Sequence, residues 1–312
     1  MLNLIRNEWM KLLNRPGTYV MAGLLVLAVI ASAVIMLFIN STLESSDEMT
    51  WQQQLEMQNE QQSMMEDGGQ GFMASPEEVI AINEYRLAND LPPNEMNSMW
   101  NYLETNAFMI SLVGLFAIVV ASGIVAGEFS WGTIKLLMIR PIARWKILLS
   151  KFITVATFGL SLVGILVVLS LIMGAIFFDA GSAVHLTYEN GVVQESSIIA
   201  YLAKIYFYSS IDVIMLTTMA FMISAVFRNS SLAIGISLFL YFIGGTVTGF
   251  VGMYFDWAKY SLFANTNLAM YEMGPILIEG MTLTFSVVMI LLYFILFMVL
   301  AFTVFTKRDI AA

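Results

Sequence analysis

Residues 127–151, GEFSWGTIKLLMIRPIARWKILLSK, separate two apolar runs, 107–126 and 153–177, each long enough to cross a bilayer. Trp131, Ile134, Met138, Ile142 and Trp145 recur at helical spacing, while Lys135, Arg140, Arg144, Lys146 and Lys151 oppose one acid, Glu128. The stretch therefore reads as a basic amphipathic segment anchored at a membrane face and open to a soluble partner. A loop that is basic only because orientation requires it accounts for the charges equally well; the order of the residues favours more.

Working outward, runs at 18–39, 205–227, 232–255 and 285–305 bring the expected spans to six. With 59% hydrophobic and 12% charged residues in 312, and a mean hydropathy of +0.79, the chain has too little polar surface for a water-soluble domain of this size. The expected fold is an all-α polytopic membrane protein forming a single transmembrane domain. The first run, preceded by Arg6, Lys11 and Arg15, carries a signal-like Ala31-Ser32-Ala33. The apolar residues continue to Ile39, so it reads as a retained helix.

Basic residues set the orientation. Arg6, Lys11, Arg15, the five of the central segment, Arg228, Lys307 and Arg308 fall on one side, and only Arg86, Lys204 and Lys259 on the other. The positive-inside rule then places both termini in the cytoplasm of a cell-membrane protein. The loop 40–106 becomes extracellular and holds 13 of the 23 acids against a single base, Arg86. Trp51, Leu55, Gln58, Gln62 and Met65 share a helical stripe there that ends at Gly68-Gly69, and Ser75-Pro76-Glu77-Glu78 reads as a helix start. A short acidic helical hairpin is one reading of this loop; a solvated, partly unstructured one is the other.

Leu2, Ile5, Trp9, Leu12 and Leu13 form an apolar stripe that predicts an N-terminal helix over 1–16, lying in the membrane interface and in contact with lipid. Between Asp256 and Thr284 the chain alternates aromatic and polar residues and is too broken for a span, so it is expected at, or dipping into, the outer interface. Asp212, with Ser209 one turn before it, stands inside the fourth span, where a carboxylate costs about 2.5–3.5 kcal/mol on insertion scales. The pair points to a translocation path or dimer seam, unless Asp212 simply hydrates near the outer interface. In the fifth span Gly245 and Gly249 form a GxxxG unit, a second candidate for such a seam.

Chemistry-bearing motifs are sparse. There is no phosphate-binding loop, no cysteine and one histidine, His185, so neither an enzyme nor a cofactor, metal or nucleic-acid site is expected. The methionines of the 40–106 loop stand without Cys or His and do not suggest a metal centre.

Glu128-Phe129-Ser130-Trp131-Gly132-Thr133-Ile134-Lys135, followed by Arg140-Pro141-Ile142-Ala143-Arg144 and Lys151, resembles the ABC-2 type permeases of bacterial ABC transporters. The likeness implies six transmembrane helices, an interfacial N-terminal helix and a large first outer loop. It also implies a cytoplasmic coupling helix between helices two and three, on which a separately encoded ATPase subunit docks. Two ATPase copies would serve a homodimer or a pair of related permeases, with Glu128, Gly132, Thr133, Lys135, Arg140, Pro141 and Arg144 in contact. The implied function is an exporter of a lipophilic compound or peptide. The alternatives are a non-transporting sensor or scaffold that uses the acidic loop, and a secondary transporter, for which Asp212 alone offers an intramembrane charge.

Overall fold

Pro16, at a first helical position where a missing N–H costs nothing, separates α1 (Leu2–Leu13) from α2 (Pro16–Leu43). The structure, a computed structural model, describes all residues except 44–48, 65–74, 94–96, 135–140, 190, 228, 275, 277, 279 and 308–312. The helices continue as α3 (Trp51–Ser63), α4 (Pro76–Asn89), α5 (Met99–Ala107), α6 (Ile110–Ser130) and α7 (Arg144–Phe177). After an antiparallel hairpin, β1 (Val184–Glu189) and β2 (Val192–Ser197), come α8 (Ile198–Val226), α9 (Ser230–Gly252), a 3-10 turn (Asp256–Tyr260), α10 (Leu262–Asn265), α11 (Met270–Met273) and α12 (Leu283–Lys307).

Six helical stretches among the described residues are long and apolar enough to span a bilayer: Pro16–Thr42, Met99–Ser130, Arg144–Phe177, Ile198–Val226, Ser230–Gly252 and Leu283–Lys307. The protein is a multi-pass, predominantly helical membrane protein. Helices α6 and α8 form its centre, with Val113, Ala117, Ile118, Ala121, Val125, Ile205, Val213 and Phe221 all buried. Gly159 of α7 lets these helices close up: a Cβ there would stand 3.1 Å from Val213 and 3.4 Å from Ala117. Most of α2, α9 and α12 faces outward and is apolar, as a bilayer requires.

Buried hydroxyls bind neighbouring backbones across the bundle. Ser224 of α8 donates to the Ser122 carbonyl of α6 at 2.6 Å and accepts from the Ala126 amide at 3.0 Å. Tyr102 donates to the Val29 carbonyl, and Tyr206 to that of Leu103.

The central connection differs from the continuous segment read in the sequence. Helix α6 runs through Glu128 to Ser130, and α7 starts at Arg144, so both flanks of the 127–151 stretch are parts of the spans themselves. Gly132, at φ +71°, turns the chain away from α6, a left-handed conformation that suits glycine.

At the opposite end of the bundle, α3 and α4 pair side by side, with Asn83 donating to Gln58 and Asn59 at 3.2 and 2.8 Å. Ser75 caps α4 and Pro76 follows it, while α3 carries a reciprocal Thr50–Gln53 cap. The β-hairpin, which the sequence reading does not anticipate, packs beside α4: Tyr188 donates to Glu77 at 2.8 Å and Tyr85 to Glu195 at 3.2 Å. Met65 and Gly68-Gly69 lie outside the described residues.

Residues 256–273 turn into the bundle. Glu272 pairs with Lys204 at 3.1 Å, whereas Thr266 lies beside Asp212, eight residues or about 12 Å further along α8. Ala264, Asn265, Thr266 and Leu268 are buried. Asn265 satisfies the irregular backbone by donating to the Lys259 and Ser261 carbonyls, both at 2.7 Å, while its oxygen accepts from Ser286 at 2.8 Å.

Candidate functional site

Helix α1 presents Ile5, Glu8 and Leu12 on one face, and Glu8 is only 6% exposed. An acid within an apolar stripe needs a partner, and this one has two. Its Oε1 lies 2.8 Å from Lys11 Nζ, and its Oε2 lies 2.7 Å from Nζ of Lys151, which is 1% exposed on α7. Glu128 closes the figure: its Oε1 is 3.0 Å from Lys151 and 3.4 Å from Lys11, and its other oxygen accepts from Thr133. Two acids and two bases thus form a neutral cluster joining α1, the end of α6 and the start of α7.

Burial alone would push the Glu8 carboxyl up. The positive charge of Lys151 and hydrogen bonds from Lys11 and Lys151 outweigh it and hold the group below its ordinary value. For Lys11 burial acts downward, but the hydrogen bond and charge of Glu8, with Glu128 behind them, hold the ammonium above its ordinary value. Around the cluster, Trp9 donates to Thr157 at 3.2 Å and packs edge-on against Phe158, and Thr18 donates to the Leu12 carbonyl at 2.6 Å.

The residues expected to meet a partner divide into two groups. Glu128 is buried in the ion cluster, and Thr133 is half-buried and hydrogen-bonded to it, so both act within the subunit. Arg144, half-buried, donates to the Thr306 carbonyl at the end of α12 at 3.2 Å. Gly132 and Pro141 are exposed, and Lys135 and Arg140 lie outside the described residues. Lys146 is also exposed, with its ammonium over Trp145, and Arg15 covers the exposed Trp131 ring. Sequence reasoning missed Glu8, although its position on the stripe with Ile5 and Leu12 was the signal that could have found it.

Ser209 and Asp212 are both half-buried on α8. Gly245 is exposed, with nothing within 4 Å of a Cβ built on it, and Gly249 is half-buried. The close approach on α9 occurs instead at Gly244, where a Cβ would meet the Phe263 ring at 2.5 Å, and at Gly252, where it would meet Ile278 at 2.8 Å. His185 is half-buried and stacks on Tyr201 with ring centroids 3.6 Å apart. Among the described residues no group of three or more His, Cys, Asp or Glu is arranged to hold a metal.

A family described as "Protein of unknown function (DUF2705)" matches residues 72–311. The chain belongs to this family. It is 46% identical over 315 residues to the "Uncharacterized protein YhcI" of Bacillus subtilis (strain 168), covering 100% of both chains. It is 30% identical over 211 residues to the "Uncharacterized membrane protein YdbK" of the same organism, covering 67% of this chain and 82% of that one. The family match takes in Glu128, Lys151 and Asp212 but begins after α1, so Glu8 and Lys11 lie outside it.

Proposed function

We propose that the chain is the permease subunit of an ATP-driven ABC-2 type transporter, an exporter of a lipophilic compound or peptide. A separate ATPase subunit, two copies per permease dimer, docks on the 128–146 segment and supplies the energy. Both termini and the ion cluster face the cytoplasm of a cell-membrane protein, and the α3–α4 pair and β-hairpin face outward.

One observation carries the reading: the Glu8–Lys11–Glu128–Lys151 cluster ties three helices together around the short connection 131–143. A partner pushing on that connection loads α6 and α7 directly and α1 through the charges. Displacement at the membrane surface then becomes movement of packed helices. The exposed Gly132, Pro141, Trp145 and Lys146 give the partner its contact surface, while Glu128, Thr133 and Arg144 hold that surface in place.

The test is native mass measurement after co-expression with a Walker-motif ATPase encoded in an adjacent reading frame. The expected species contains two permeases and two ATPases. A stable monomer that retains no ATP-binding subunit overturns the proposal.

A further inference from the structure

Asp212 stands midway along the 29 residues of α8, half-buried, and among the described residues no Lys or Arg pairs with it. Of two other carboxylates in the spanning stretches, Glu128 is paired with Lys151 and Lys11, while Glu104, near the start of its stretch, accepts from the Tyr201 hydroxyl at 2.9 Å. Among the described residues the one buried lysine, Lys151, is committed to Glu8 and Glu128. Among the described residues the groups found near Asp212 are neutral: the Thr266 side chain from the inward-turning segment hydrogen-bonds it, and Tyr241 of α9, near enough to feel its charge, donates its hydroxyl to the Ser111 carbonyl at 2.6 Å. Tyr208 and Ser209 stand one turn before it on the same helix. A carboxylate at membrane depth without a countercharge is costly, and such residues mark ligand paths. Aromatic rings beside a carboxylate suit an organic cation, whose charge the carboxylate and the ring faces both attract. The 13 acids of residues 40–106, against one base, add a field of the same sign that concentrates cations near the protein.

We propose that Asp212 receives the positively charged group of an amphiphilic substrate, with Thr266 beside it and Tyr241 nearby, so that the transported class is cationic amphiphiles. The assignment rests on the transporter reading. Its test does not need the ATPase.

The purified full-length chain in detergent is tested for binding of tetraphenylphosphonium and of its anionic isostere, tetraphenylborate. The expected result is saturable binding of the phosphonium and at least ten-fold weaker binding of the borate. Asp212→Asn, of the same shape without the charge, should weaken phosphonium binding at least ten-fold, and Asp212→Glu should retain it. Absence of saturable binding, equal binding of the two probes, or undiminished binding by Asp212→Asn overturns the proposal. Displacement by potassium but not by sodium at equal ionic strength also overturns it, by assigning the carboxylate to an inorganic cation. A chain that captures the ATPase but not the phosphonium fails only here. One that binds the phosphonium yet never joins an ATPase fails only the transporter reading.

Discussion

Lys151 Nζ lies 2.7 Å from Glu8 Oε2, joining positions 143 residues apart, and both side chains are buried. The N-terminal helix is thus bound to the start of α7 by charge as well as resting against it through Trp9, which meets Thr157 and Phe158. The four members come from three helices, and the loss of buried Glu8, Glu128 or Lys151 leaves an unbalanced charge in a largely apolar surround.

Removing the central cation should be severe. Lys151→Met leaves two acids, Glu8 and Glu128, to share the single ammonium of Lys11 and is expected to cost about 3–5 kcal/mol. Pairing it with Glu8→Gln should cost less than the sum of the single losses. Thermal unfolding in detergent, followed by tryptophan fluorescence, measures both; strictly additive losses would mean that the two side chains do not interact.

The docking of α1 should depend on pH at both extremes. Glu8 is held below its ordinary 4.5, so its contribution is present above that value and is lost as pH falls through the depressed folded value. Lys11 is held above 10.5, so its contribution is complete below that value and is lost as pH rises through the raised one. Hydrogen exchange of the α1 amides should therefore be flat between about 4.5 and 10.5, after correction for intrinsic rates, and accelerate outside that window. A transition near neutrality would contradict this assignment.

Two adjacent glycines of α9 should behave oppositely. Gly244→Ala drives a methyl into the Phe263 ring and is expected to destabilise the protein by about 1–3 kcal/mol through overpacking. Gly245→Ala enters open space and should leave the subunit unchanged. If Gly245→Leu lowers the oligomeric state seen by native mass measurement, without loss of melting temperature, the exposed GxxxG face is the seam between subunits.

Charge reversal at Lys146 probes the partner surface. Lys146→Glu should weaken ATPase capture by about 1.5–3 kcal/mol, the worth of a hydrogen bond to a charged group, without altering the unfolding temperature. Full capture by the variant would move the contact away from the start of α7. Arg144→Glu is a poorer probe, because it also breaks the bond to Thr306.

Orientation can be read with single cysteines, since the chain has none of its own. Ser63→Cys at the α3–α4 end should react with an impermeant thiol reagent added to intact cells, and Lys146→Cys only after lysis. The reverse pattern would invert the topology.

The sequence by itself determined what depends on local pattern and on solvent. Six apolar runs of bilayer length, Pro16 after an amphipathic stretch, and Ser75 ahead of Pro76 each specify their element through nearby residues, and the structure has helices at all of these places. Tertiary structure alone decided which charges are spent inside the molecule. Glu128, Lys151 and Arg144 look like surface groups in one basic stretch, yet their partners Glu8, Lys11 and Thr306 are supplied by distant helices. It likewise chose Gly244 over Gly245 as the point of close approach and brought Thr266 beside Asp212. The physical reason is the same throughout: periodicity and hydropathy act over one or two helical turns, whereas the pairing of a buried charge and the contact of a glycine depend on which helices the bundle places side by side.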